Sequence, residues 1–142
     1  MKYASLQKFN NHCHLGITFQ SSATWKKHID DIYKKACFRL LLLRQVKHLL
    51  DRYSLIRIYF AFIRPVLEYG DVVWGNCTKK ETNLLESVQI EAGRIITGLP
   101  CNSSRQKIYH ELGLETLENR PNKHKLISFY KNTKWVNTCI PL

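Results

Sequence analysis

Among its 142 residues the chain has only 6 Gly and 4 Pro, and no low-complexity run. At 44% hydrophobic and 23% charged, it can bury a core, so disordered, collagen-like and linker-like behaviour is excluded. Long apolar stretches are missing too. Runs such as Leu40 to Leu43 fall far short of the roughly 18 residues a membrane span needs. The polar stretch through Asn11 lacks the apolar segment of a signal peptide. The five cysteines, Cys13, Cys37, Cys77, Cys101 and Cys139, form no C-x-x-C pair. An odd, scattered set without a leader argues against a secreted disulfide scaffold. The expectation is a reducing intracellular compartment, nucleus or cytoplasm, with no membrane partner.

Acidic residues are the other scarcity. Lys and Arg number 22 against 11 Asp and Glu, a formal charge of +11. Such an excess favours a polyanionic partner, phosphate backbone before anionic lipid, and says nothing of fold. The length suits one domain.

Catalytic signatures are absent as well: there is no G-x-x-x-x-G-K, no G-x-S-x-G and no G-x-G-x-x-G. Asp30-Asp31 could evoke a divalent-ion pair, but it sits inside a helical pattern between Ile29 and Ile32, directed away from the apolar stripe. Asp30 with Lys34 and Asp31 with Lys35 have the acid-first spacing of a solvated helix face. His12-Cys13-His14 on a strand would send both imidazoles to one side and Cys13 to the other, and no second cluster completes a tetrahedral zinc set. No catalytic residue, metal ligand, cofactor or small-molecule substrate is assigned.

The segments read as a mainly α chain, a small bundle of about four to six helices behind a short N-terminal strand or hairpin remnant. His12 to Phe19 alternates like a strand. From a candidate cap at Thr24, Trp25, Ile29, Ile32, Ala36, Leu40, Leu43 and Leu50 define one helix stripe. Phe38, Leu41 and Leu42 add a second apolar side that predicts covering neighbours. Another helical pattern opens near Ser54 and meets Pro65, which predicts a kink or fresh start. Thr78-Lys79-Lys80-Glu81 is a capping-box spacing for a helix ending near Gly98. Ser103 or Ser104 caps a short helix that Gly113 ends, and a last helix spans Thr116 to Tyr130, bent or delayed by Pro121. Residues 1–20 are read as a strand remnant, 21–134 as the bundle and 135–142 as a tail.

The basic residues crowd one region: Lys26, Lys27, Lys34, Lys35, Arg39, Arg44, Lys47, Arg52 and Arg57. Lys27 and Lys34, seven apart, share an outward face. Such a row can lie along a nucleic-acid backbone, with binding that weakens steeply with salt; the alternative is a merely solvated basic surface. Arg120, Lys123, His124 and Lys125 form a weaker second cluster. Trp25 and Tyr59 fall on apolar faces, so no aromatic is assigned to base stacking.

Several stretches occur in a telling order: His14-Leu15-Gly16-Ile17, Trp25-Lys26-Lys27-His28-Ile29, Leu55-Ile56-Arg57-Ile58-Tyr59, then Ile63-Arg64-Pro65-Val66-Leu67-Glu68-Tyr69-Gly70 with Val73-Trp74. Leu85-Glu86-Ser87-Val88-Gln89, Ala92, Arg94, Thr97-Gly98 and Leu112-Gly113-Leu114 follow. In that order they resemble the region C-terminal to the palm in reverse transcriptases of non-LTR retrotransposons of the jockey and CR-one type, enzymes that copy their own transcript into DNA. The resemblance implies a primer-grip-like strand at Leu15 and Gly16, and thumb and connector helices from Trp25 onward. The family's palm aspartates, which hold magnesium, have no counterpart here, so a truncated, noncatalytic fragment is implied. Magnesium is then expected only for the intact parent enzyme. Implied partners are RNA or an RNA–DNA duplex and the missing palm. The rival readings are a helical protein-interaction module and a nonfunctional relic of a mobile element. The interaction module would show an exposed apolar patch around Phe9, Leu15, Ile17, Phe19, Phe38 and Leu41.

Overall fold

The computed structural model describes residues 10–139. Phe9, one member of the anticipated apolar patch, lies outside them. The fold is mainly α, with one two-stranded hairpin in front. The stretch over 12–19, a single strand by its alternation, folds back on itself. β1 (Asn11–His14) and β2 (Ile17–Gln20) pair antiparallel, with His14 opposite Ile17 and Asn11 opposite Gln20. Leu15 and Gly16 make the turn at φ 49° and 78°. Both angles are left-handed, natural for glycine and costly for leucine. The Tyr69 hydroxyl, donating to the Leu15 carbonyl at 2.8 Å, secures the strained turn.

α1 (Lys26–Val46) buries Ile29, Ile32, Ala36, Leu40 and Leu43, the anticipated stripe. Its start differs from expectation. Thr24 does not cap it; Gln20 Oε1, at the end of β2, accepts the Lys27 amide at 3.1 Å and the Thr24 hydroxyl at 3.2 Å. The hairpin is thereby pinned to the first turn. Leu50 lies beyond the helix end and is exposed.

α2 (Arg52–Ile58) is capped by Asp51, whose carboxylate accepts the amides of Tyr53 and Ser54. Pro65 stands in the first turn of a fresh α-helical segment, which follows the one before it without a gap. A π turn (Tyr59–Ile63) leads into α3 (Arg64–Glu68), and the three segments form one rod over 52–68. Pro65 has no amide hydrogen, and its ring would strike the carbonyl one turn back. The wider turn relieves this by letting the Arg64 amide reach the Tyr59 carbonyl.

α4 (Asp71–Trp74) is a single turn between Gly70 and Gly75. α5 (Lys79–Thr97) begins with the anticipated capping box, in which the Thr78 hydroxyl accepts the Glu81 amide while Glu81 accepts the Thr78 amide. α6 (Arg105–Leu112) starts at Ser104 and ends at a left-handed Gly113. α7 (Arg120–Cys139) begins later than Thr116 and continues past Lys134. Pro121 stands in its first turn, where a missing amide hydrogen loses no bond and no bend is needed. With the rod counted once, the described residues contain six helical segments.

The core lies where α1, the rod and α5 meet: Ile29, Ile32 and Leu43 against Leu55, Tyr59, Ile63 and Leu67, closed by Leu85, Val88 and Ala92. Burying each large aliphatic contributes about 1.5–3 kcal/mol. Phe38, Leu41 and Leu42 depart from expectation. No neighbour among the described residues covers them, and they are 64%, 56% and 37% exposed. Among the described residues, no helix is long and apolar enough to cross a membrane.

Candidate nucleic-acid interface

One turn beyond the pinned start of α1, the hairpin and the end of the rod leave an open groove of about 670 Å³. Gly16 of the β-turn and Tyr69 line it together with Ile32 and Val66 and with the basic Lys34, Lys35 and Arg39. Of the two turn residues, Gly16 lines this groove beside Tyr69, and Leu15 is exposed at the tip of the hairpin. A shallower recess of about 510 Å³, lined by Lys34, Lys35, Arg39, Phe38 and Phe62, continues from it along α1.

His28, not assigned a role from sequence, anchors the groove. Its ring is 2% exposed and lies edge-on between Trp25 and Trp74, with centroids at 6.2 and 6.1 Å. Nδ1 accepts the Thr18 amide at 3.3 Å, tying β2 to α1. Burial lowers the His28 pKa, the Asp31 carboxylate opposes that shift, and Lys35 reinforces it. The neutral imidazole is therefore the form the fold prefers, with its proton on Nε2. A histidine between two tryptophan positions was the available signal, but only the fold brings Trp74 to it.

The nine basic residues separate into groups. Lys34, Lys35 and Arg39 converge on the groove. Arg39 also donates to the Phe62 carbonyl, inside the π turn, and its guanidinium lies 4.4 Å from the Phe62 ring centroid. Lys27 pairs with Asp31 at 3.0 Å, and Asp31 borders the groove beside Lys34 and Lys35. Arg44 pairs with Glu91 at 2.6 Å and Arg52 with Glu111 at 3.0 Å, bracing α1 and the rod against α5 and α6. Lys26 borders a separate recess beside Asp30 and Glu81. Arg57 stacks over Tyr53 at 5.5 Å, and Lys47, just past α1, is half-buried.

The second basic cluster disperses into structural contacts. Arg120, only 2% exposed, donates to Glu68 and, at 2.9 Å, to the Glu115 carbonyl. Lys123 reaches Glu115, Lys125 donates to Asn76, and His124 Nδ1 lies 2.6 Å from buried Asp71. Nearby, the Tyr59 hydroxyl donates to Gln89 at 2.8 Å, and the Gln89 amide donates to the same Glu115 carbonyl at 2.9 Å. Burial pushes the Tyr59 pKa up to about 12 against the pull of Arg120. Glu86 accepts from Tyr109 and from the Leu117 amide at 2.8 Å, and its pKa is raised by desolvation. A cleft of about 230 Å³ lies beside this network, and two of its three carboxylates, Glu68 and Asp71, are engaged by Arg120 and His124, the third being Glu118. These groups hold the α7 start against the rod and α5.

Asp31 is taken by Lys27, and among the described residues no three His, Cys, Asp or Glu side chains converge. His12 and His14 stack at 6.3 Å on the exposed strand. Cys13, Cys37, Cys77 and Cys101 are free thiols.

No protein-family model matches the chain, and no solved structure does so significantly. Over 117 residues it is 26% identical to the probable RNA-directed DNA polymerase from transposon BS of Drosophila melanogaster. Over 116 residues it is 27% identical to the probable RNA-directed DNA polymerase from transposon X-element of the same fly. Each match takes in 78% of this chain and 13% of the relative, so the chain spans a small part of those polymerases. The chain is a reverse transcriptase-like relative of these transposon RNA-directed DNA polymerases.

Proposed function

We propose that this chain is a noncatalytic, thumb-like module of a retrotransposon-type RNA-directed DNA polymerase, holding an RNA–DNA or RNA duplex by its backbone. The observation that carries the reading is the convergence of Lys34, Lys35 and Arg39 on one open groove, while other cations of the same region are spent on ion pairs. Ammonium groups set along a groove replace condensed counterions on a phosphate chain, and the released ions drive binding. Joining nucleotides would fall to carboxylates and magnesium elsewhere in a full-length polymerase.

The test is fluorescence anisotropy of a labelled RNA–DNA hybrid across a salt series. Three phosphate contacts give a log–log slope of about −3, and Lys34→Glu with Lys35→Glu removes about two of those units. A flat response, an unchanged slope in the double variant, or unaided primer extension by the purified chain would each overturn the proposal. A second reading, docking onto another part of the polymerase, is favoured by outward-facing Leu41 and Leu42 on α1. It is supported if their replacement by Ser weakens association with a palm fragment and leaves hybrid binding intact.

A further inference from the structure

Phe38 and Phe62 are 64% and 41% exposed, and both line the shallow recess with Lys34, Lys35 and Arg39. Large aromatic rings left in water beside converging cations need an explanation that solvation does not supply. The Arg39 guanidinium lies over the Phe62 ring. Phe38 lies one helical turn from both Lys34 and Lys35, on the same side of α1, and no ring of the described residues stacks on it. The recess thus offers an apolar π-surface next to ammonium groups.

Resting on the backbone-holding reading above, we propose that this recess is a stacking platform for an unpaired nucleotide base, with Phe38 as the stacking ring and Lys34 and Lys35 on the flanking phosphates. The ligand is a single strand because paired bases already stack on one another and expose only their edges. An unpaired base has a free face that any aromatic ring can take, whatever its sequence. Charge decides against a protein occupant: Asp31, the carboxylate bordering the groove, is tied to Lys27. A polyanion, unlike an ordinary protein surface, supplies the counter-charge that the three cations lack. The platform continues the groove, so one strand can leave the duplex there without losing its phosphate contacts.

The experiment measures affinity of the full chain for oligothymidylate, for oligouridylate and for a blunt RNA–DNA hybrid of equal length. Phe38→Ala should weaken both single strands about 5- to 150-fold, the span of one lost base stack, and leave the hybrid within about twofold. Phe38→Trp should restore single-strand binding. Lys34→Glu with Lys35→Glu should weaken all three ligands. Phe38 is exposed, and matching circular dichroism of the variants confirms that folding is unaffected. Hybrid binding with no effect of Phe38→Ala on either single strand, or with equal losses on strand and hybrid, overturns the platform alone. Failure of the unmodified chain to bind any of the three overturns the backbone-holding reading and the platform with it.

Discussion

Arg120→Met separates a structural arginine from a phosphate-binding one. The arginine is 2% exposed, donates to Glu68 and, through its other terminal nitrogen, to the Glu115 carbonyl at 2.9 Å. Methionine preserves most of the apolar stem and deletes the charge. Removing one partner of a buried ion pair destabilises by about 3–5 kcal/mol, because the remaining charge is left uncompensated. Here Glu68 keeps Arg64 at 2.7 Å, on a side chain 32% exposed, which places the loss at the lower end. About 3 kcal/mol in a domain of this size lowers the melting temperature by about 10 °C. The assay is thermal and urea unfolding by far-ultraviolet circular dichroism, with Glu68→Gln and the double variant completing a cycle. With the carboxylate neutralised, nothing is left stranded, so the double variant should recover at least about 1 kcal/mol of the summed losses. A variant that melts within about 1 °C of the parent while binding nucleic acid more weakly would refute the reasoning. So would an additive cycle.

Protonation of His28 should weaken the attachment of the hairpin. Its folded pKa is depressed below the ordinary 6.5, so the unfolded chain binds the proton more readily. The stabilisation is then full above about 6.5 and declines as pH falls below it. Urea midpoints at about pH 7.5 and about pH 5.5 should differ less in His28→Gln than in the parent, and an equal difference would reject the assignment. Gly93→Ala places a methyl 2.3 Å from Ile108 Cγ2 on α6. Overpacking of about 1–3 kcal/mol outweighs the roughly 1 kcal/mol gain in helix propensity, so the melting temperature should fall; a rise would contradict the close helix approach. Thr78→Ala should lower stability by about 1 kcal/mol through loss of the cap. Combined with Glu81→Ala, it should be less than additive, and full additivity would deny the reciprocal box.

Legible in the sequence is whatever neighbouring residues decide among themselves. The Thr78–Glu81 box, the Ser104 cap and the Gly113 stop depend on bonds spanning a few residues, and the α1 stripe depends on period alone. The remainder depends on residues far apart in the chain. Nothing local announces that Leu15 adopts a glycine-like angle, because Tyr69, which secures the turn, lies 54 residues away. Arg120 resembles its basic neighbours until Glu68, 52 residues back, is brought to it. The groove is half legible: Lys34 and Lys35 stand on the basic row, but the acidic partners of Lys27, Arg44 and Arg52 cannot be read from it. A cover over Phe38 is expected and missing because apolar periodicity reports which side of a helix is greasy, not whether anything lies against it.

The π turn is also an indexing device. It stores one surplus residue in the rod, and every later side chain is clocked by it. Deleting that residue to recover regular winding would swing the downstream stretch by about 100°. The tyrosine that locks the hairpin tip and the glutamate that receives Arg120 would then point elsewhere together. Length at this π turn should therefore tolerate change less than the identity of its exposed residues.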